Sequence, residues 1–280
     1  MKNKVLVLIL LMISTTAFSQ ATAVDLNNDG IAALKMGDTA EGLELLTASI
    51  KMDSKSPVAY YSRGNAYVAQ KNYKLAISDY TKALENGGEL YILFARANAY
   101  RGDGNIEKAI ADYTEVISQN SAFHSVYLER GLTYRLQQKN ELAKKDFEKQ
   151  LNHDTLDLKT LEALIDVNVK LKNYDAALMG YEIILLEYSN VDEAYLFYNS
   201  RANLYTLMQE YDKALLDLNK AIELKGDFAL GIFNRAKIWM KMGDTEKACI
   251  DMNKILKLDI ALQKDFQSDK DYEELKKLCN

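Results

Sequence analysis

Apolar residues recur at steps of three and four along most of the chain, in runs of about 12 to 14 residues separated by short polar breaks. The stretch Pro57–Glu85, PVAYYSRGNAYVAQKNYKLAISDYTKALE, carries the pattern most cleanly. Tyr60, Gly64 and Tyr67 fall on one helical face, Lys71-Asn72 interrupts, and Tyr73, Ala76, Tyr80 and Ala83 fall on the next. This spacing predicts two amphipathic helices joined by a tight turn. Breaks of the same kind stand at Gly37-Asp38, Gly104-Asn105, Lys139-Asn140, Lys172-Asn173, Gln209-Glu210 and Gly243-Asp244. Glycine and asparagine suit the left-handed residue that ends a helix.

The helix pairs are copies of one unit. The position of Ala76 recurs as Gly42, Ala76, Ala109, Ala143, Ala177, Ala214 and Ala248, at intervals of 34, 33, 34, 34, 37 and 34 residues. A small residue there lets two helix axes approach, and the aromatics around it fill the space above and below the contact. This period, the small residue where helices meet and the aromatic four residues later together resemble the tetratricopeptide repeat family. The resemblance implies an all-α fold, a right-handed superhelix of about seven helix-turn-helix repeats with a C-terminal capping helix. The repeats would span approximately 23–56, 57–89, 90–123, 124–157, 158–192, 195–228 and 229–262. The capping helix would run over about 268–279, opened by a Ser268/Asp271 capping box. One pair has too little core to fold alone, so stacking neighbours supplies the stability.

Two repeats depart from the pattern. The first has Gly30 and Gly42 at its helix contact, as terminal repeats often do. In the fifth, Leu164-Ile165 replaces the Arg-small pair, Asn168 replaces an aromatic, and three extra residues near Tyr188–Asp192 predict a change of pitch. Pro57 is the only proline, so most links between repeats lack the proline common in this family. Arg63, Arg96, Arg130, Arg201 and Arg235 share one column, and Asp79, Asp112, Asp146, Asp217 and Asp251 another. The first and fifth repeats lack both members. Joint presence and joint absence predict an ion pair within each repeat, which specifies geometry more than it adds stability.

Composition narrows the function. With 27% charged and 48% apolar residues the chain is long enough for a large core, but two histidines, His124 and His153, leave little for a metal cluster or an acid-base pair. A catalytic role and a cofactor are not expected. Residues 1–19, MKNKVLVLILLMISTTAFS, have the basic, apolar and small-residue parts of a secretory signal. The apolar run is short for a membrane span of about 20 residues. Cleavage after Ser19, or a few residues later near Ala21 or Ala23, would leave residues 20–280 as an exported solenoid, periplasmic or secreted. Removing Lys2 and Lys4 leaves 33 basic against 40 acidic residues, a net of −7. Such a chain is a poor match to nucleic-acid phosphates.

Three short motifs suggest chemistry that their context does not support. Asp25-Leu26-Asn27-Asn28-Asp29-Gly30 looks like half a calcium loop, but Met36 stands where the closing acid belongs. Arg101-Gly102-Asp103 spells an adhesion tripeptide at a helix end, where turn residues are needed anyway. His153 has no partner histidine at ligand spacing.

Cys249 and Cys279 are either a disulfide that staples the C-terminal helix over the last repeat or two buried thiols; export favours the disulfide.

The resemblance implies that the first helix of each repeat lines a concave groove for a protein or an extended peptide. The second and third repeats would contribute Tyr61, Asn65, Phe94, Asn98 and Arg101. Leu128, Glu129 and Arg135 would follow from the fourth, Asn199 and Asn203 from the sixth, and Phe233, Asn234 and Lys237 from the seventh. Asparagines could hydrogen-bond a peptide backbone while aromatics pack its side chains. A non-catalytic binding scaffold is the reading, with an envelope carbohydrate or peptidoglycan module as the alternative.

The register has a direct test. Ala143→Leu should overpack its helix contact and cost about 1 to 3 kcal/mol in denaturant unfolding, whereas Lys145→Ala on the surface should stay within about 0.5 kcal/mol.

Overall fold

The computed structural model describes residues 22–123, 125–258, 266 and 269–279. The expected leader, residues 1–19, and Ser268 lie outside them. Among the described residues there are fifteen α-helices and no strands. The chain divides into two compact units, Met1–Leu136 and Gln137–Asn280. The first holds α1 (Ala23–Met36), α2 (Thr39–Met52), α3 (Pro57–Ala69), α4 (Tyr73–Glu85), α5 (Leu90–Gly102), α6 (Ile106–Gln119) and α7 (Val126–Leu136). The second holds α8 (Asn140–His153), α9 (Leu158–Lys170), α10 (Tyr174–Glu187), α11 (Ala194–Leu207), α12 (Tyr211–Leu224), α13 (Ala229–Met242), α14 (Thr245–Ile255) and α15 (Lys270–Leu278). Within each unit the two helices of a repeat pack together, and its second helix packs on the first helix of the repeat that follows.

The turn inside each repeat is one motif used repeatedly. The residue five before the small position has positive φ in every case: Gly37, Lys71, Gly104, Gln138, Lys172, Gln209 and Gly243. In the fourth repeat that residue is Gln138, one earlier than the Lys139-Asn140 break suggests. The next N–H bonds back five residues, as Asn72 to Tyr67 (2.8 Å), Asn173 to Asn168 (2.8 Å) and Asp244 to Trp239 (2.9 Å). This pattern absorbs carbonyls that a helix end would otherwise leave open. Lysine and glutamine accept the left-handed conformation at a cost glycine avoids. At the first and last of these turns Asp38 and Asp244 also cap the next helix, accepting from the Glu41 and Lys247 amides at 3.1 Å.

The small column is fully buried from Ala76 to Ala248. At Gly64 a β-carbon would lie 2.6 Å from the Tyr80 ring, so the two helices touch there. The fifth repeat reaches the same closeness by exchanging sizes. Ile165 occupies the small position of the first helix, and Gly180 stands where other repeats carry the clasping aspartate. A β-carbon on Gly180 would meet Ile165 Cγ1 at 2.5 Å. The branched side chain thus fills the space that the glycine vacates. The extra residues after α10 form a turn in which the Tyr188 hydroxyl donates to the Leu156 carbonyl.

The arginine and aspartate columns form bidentate pairs inside the repeats. Arg63 Nε and Nη2 donate to the two Asp79 oxygens at 2.8 Å each. Arg96–Asp112, Arg201–Asp217 and Arg235–Asp251 repeat the geometry. Arg130 and Asp146 fall in different units. A further arm reaches back to the preceding repeat: Arg63 Nη1 to Thr47 (3.2 Å), Arg96 to Thr81 (3.3 Å), Arg130 to Thr114 (3.0 Å) and Arg235 to Asn219 (2.6 Å). Tyrosines flank the cations, with Arg63 lying 5.9 and 6.0 Å from the Tyr60 and Tyr67 ring centres. The aspartate hydrogen bonds hold Arg63, Arg96 and Arg201 above the usual guanidinium range.

The size exchange in the fifth repeat is testable by a double-mutant cycle. Gly180→Ala alone should cost about 1 to 3 kcal/mol through overpacking. In the background of Ile165→Ala the same change should cost far less. Additive effects in urea unfolding would show that the two residues do not compete for this space.

Candidate functional site

The first helices carry two columns in register with the small position. Fifteen residues before it stand Tyr61, Phe94, Leu128, Glu162, Asn199 and Phe233. Eleven before it stand Asn65, Asn98, Leu132, Asp166, Asn203 and Lys237. One helical turn separates the two columns, so in each repeat they share a face.

In the second and third repeats the asparagines are oriented by the core. Tyr80 donates its hydroxyl proton to Asn65 Oδ1 at 2.6 Å, and Tyr113 does the same for Asn98 Oδ1. Burial pushes both phenols above their ordinary pKa, so they remain donors. With the oxygens engaged, the side-chain amides are left to donate. Tyr61 packs edge-on against Tyr91 at 4.8 Å between ring centres, and Phe94 lies 5.2 Å from Phe123. Tyr61 therefore reaches the next repeat, Phe94 packs on the link that ends its own repeat, and both rings remain only half-buried.

Other expected groove residues are engaged elsewhere. Arg101 and Glu129, both expected to meet a partner, pair with each other at 2.6 Å between α5 and α7. Leu128 is 3% exposed and belongs to the core. Asn199 is buried and accepts from Asn234 Nδ2 at 2.9 Å. Arg135 is half-buried on α7, and Asn203 is exposed on α11.

Phe233 is the clearest correction. At 1% exposure it stacks on Phe266 at 4.7 Å and meets Tyr272 at 6.1 Å. The tail takes the place of an eighth repeat and covers the ring. Lys237, expected in the groove, instead binds the tail through Asp269 (3.2 Å) and Asp271 (3.4 Å). The expected capping box is also revised, since Asp269 is the N-cap of α15 and accepts from the Asp271 amide at 2.9 Å. Tyr272 and Leu275 seal the core of the last repeat, and Cys249 and Cys279 are joined by a disulfide.

Two pockets open on the first-helix columns, one in each unit. In the first unit a pocket of about 420 Å³ lies between α1 and α3, lined by Leu34, Lys35, Tyr61, Asn65 and Ala69. In the second unit a pocket of about 510 Å³ is walled by α9, α10 and α11. It contains Asn203 and also Glu162, Asp166, Tyr181 and Phe197, which sequence reasoning passed over. The signal was available: counting back from Ala177 lands on Glu162 and Asp166. The fifth repeat looked irregular because its arginine and aromatic columns are missing, yet these two columns keep register.

The short motifs have local structural uses. Asp25 closes a capping box with Thr22, accepting from its amide at 2.8 Å, and Asn27 and Gly30 are buried in α1. Asp103 accepts from Asn105 Nδ2 at 2.6 Å in the turn after α5. Among the described residues no group of three or more His, Cys, Asp or Glu side chains is placed to hold a metal ion.

Antiparallel helix pairs closed on small residues, clasped by arginine and aspartate and stacked in series define a helical-repeat protein. The comparisons agree: residues 57–86, 94–150 and 195–228 match models of the tetratricopeptide repeat. The chain is a tetratricopeptide repeat protein. No curated protein matches it. A tetratricopeptide repeat protein from Parabacteroides merdae is similar at 24% identity over 92% of this chain and 98% of that one, with a TM-score of 0.60. The C-terminal part of a repeat protein from Cytophaga hutchinsonii is 19% identical over 88% and 98%, with a TM-score of 0.74. YrrB, described as having an unusual peptide-binding site, is 23% identical over 71% and 97%, with a TM-score of 0.54. Tetratricopeptide repeats are generally non-catalytic and bind proteins or peptides.

The lid assigns Phe233 to stability. Phe233→Ala should cost about 3 to 5 kcal/mol, and Cys249→Ala with Cys279→Ala about 3 to 4 kcal/mol by releasing a 30-residue separation. Thermal unfolding with and without reductant checks both. A Phe233→Ala protein as stable as the parent would return that ring to the surface.

Proposed function

We propose that the chain is a non-catalytic scaffold that holds an extended segment of a partner protein against the first helices of its repeats. The observation that carries this reading is a contrast between columns. The small column keeps glycine or alanine in every repeat, while the two first-helix columns change from aromatic and amide to acidic. Constant columns build the fold; variable ones suit recognition of an uneven ligand. Asn65 and Asn98, with their oxygens held by tyrosines, offer amide donors that fit peptide carbonyls.

The proposed site of action is outside the cytoplasm, in the envelope or secreted, and two features support it. Residues 1–19 read as a secretory leader, and the Cys249–Cys279 disulfide suits an oxidising compartment. No described helix is long and apolar enough to cross a membrane. The absence of an enzymatic role rests on the scarcity of chemistry: His153 stands at a helix end, and both cysteines are consumed in the disulfide. Carbohydrate recognition has less behind it, because Tyr61 and Phe94 turn their rings to neighbouring aromatics and do not form open platforms.

Asn65→Asp separates recognition from folding, since it keeps the oxygen that Tyr80 needs and removes the amide donors. For a partner recovered from envelope extract with the mature protein, it should weaken binding by about 1 kcal/mol with unchanged helical circular dichroism. If neither Asn65→Asp nor Asn98→Asp alters binding while changes on the outer helices abolish it, the first-helix face is the wrong surface. Export is checked by N-terminal sequencing of the mature product, expected to start at Gln20, Thr22 or Val24.

A further inference from the structure

We infer that the outward face of α10 docks an amphipathic helix of a partner protein, apolar along its contact stripe and bordered by lysine or arginine. This surface belongs to a second helix and is separate from the first-helix columns, and the pocket of the second unit takes only Tyr181 from α10.

α10 is apolar on every side. Its inward face buries Ala177, Ile184 and Leu185, as the second helix of a repeat must. Its outward face leaves Met179, Ile183 and Leu186 exposed at 63%, 39% and 77%. A helix apolar all round belongs in an interior, so an uncovered side of one marks a surface that binds. Stacking of the repeats does not ask for these residues. At the same positions, two, six and nine residues after the small column, the second repeat has Ser78, Lys82 and Glu85, and the fourth has Lys145, Lys149 and Asn152. The first of the three stays apolar in the sixth and seventh repeats, as Leu216 and Ile250, exposed at 70% and 61%.

Spacing identifies the shape of the occupant. With Ala176, also exposed, the stripe runs through 176, 179, 183 and 186, in steps of three, four and three. This alternation is the one by which a helix packs along another helix. Its mean step is about 5 Å, the same as on a second helix. Same-side residues of a strand stand about 6.7 Å apart and would fall out of step, and a helix offers no open backbone edge to a strand.

The residues beside the stripe identify the charge. Asp175 and Glu182 border it on one side and Glu187 on the other, and α10 contains no base. All three acids are exposed, and among the described residues no ion pair engages them. On the next outer helix, α12, Lys213 and Lys220 are paired with Glu210 and Glu223. Bordering charges of this kind choose the partner of a helix whose stripe supplies the contact. A second copy docked α10 to α10 would set acids against acids in either direction. An anionic bilayer would repel the same border. A helix edged with lysine or arginine satisfies both the stripe and its border.

The test uses the full mature chain and two end-blocked peptides of three heptads, with isoleucine and leucine along the stripe. One is bordered by lysine and the other by glutamate, so neither pairs with itself. Isothermal titration at low salt should show the lysine peptide binding at least about tenfold more tightly, and added salt should weaken it. Ile183→Gln with Leu186→Gln, checked for intact circular dichroism, should abolish that binding. Glu182→Lys with Glu187→Lys should invert the preference, an outcome that misfolding cannot produce. Equal affinity for the two peptides, or no binding of either at millimolar concentration, overturns the assignment. It is also overturned if the chain forms a dimer, or floats with phosphatidylglycerol vesicles, in a manner lost in Leu186→Gln. Asn65 and Asn98 take no part in this experiment, so its failure leaves the first-helix reading standing, and failure of that reading leaves this surface to be judged on the peptides.

Discussion

The close approach of the two helices in each repeat is the constraint on which the rest depends. At Gly64 even a β-carbon would lie 2.6 Å from the Tyr80 ring, so only glycine fits that crossing without a shift. Once the axes are that near, residues on either side are forced into fixed relations. A ring four residues beyond the small position fills the space above it, and an arginine on one helix faces an aspartate on the other. The sequence period is the linear record of that single contact repeated. The fifth repeat shows that the contact, not the residue type, is what must be kept, because Ile165 and Gly180 restore it with the sizes reversed.

Arginine joins this scheme in two directions. Its bidentate bond to aspartate orients the helices within a repeat, and its remaining nitrogen ties the repeat to the helix before it. Partly buried pairs of this kind add modest net stability but tolerate few alternative geometries. Nearest-neighbour bonds of this sort suit a stack in which each repeat relies on its flanks. The last repeat has no following neighbour, and there the tail substitutes. Phe266, Tyr272 and Leu275 cover the exposed end, held by the disulfide and by Lys237.

The two first-helix columns vary from repeat to repeat; some of their members, Leu128 and Phe233 among them, are packed, and others line the pockets. The first pocket combines a tyrosine, an amide and a lysine; the second combines apolar walls with two carboxylates. Each pocket, taken within its own unit, offers a different set of groups to whatever side chain enters it.

Much of this was determined by the sequence alone. The 34-residue period, the helix pairs, the position of every turn to within one residue and the arginine–aspartate pairing all arise from local periodicity, and periodicity is written in the order of residues. The lid was also legible in part, since an apolar last repeat needs a cover and two cysteines stood ready to hold it. What the sequence could not assign was whether a residue in a surface column is free. Leu128, Phe233, Lys237 and the Arg101–Glu129 pair all sit at groove positions by count, yet each is taken by a neighbour that lies far along the chain or on another helix. The pocket of the second unit was hidden for the converse reason, because its lining comes from α9, α10 and α11 and meets only when those helices pack. Helix and register follow from short-range order, whereas exposure and pairing depend on which distant side chains arrive at the same place, and only the packed tertiary structure decides that.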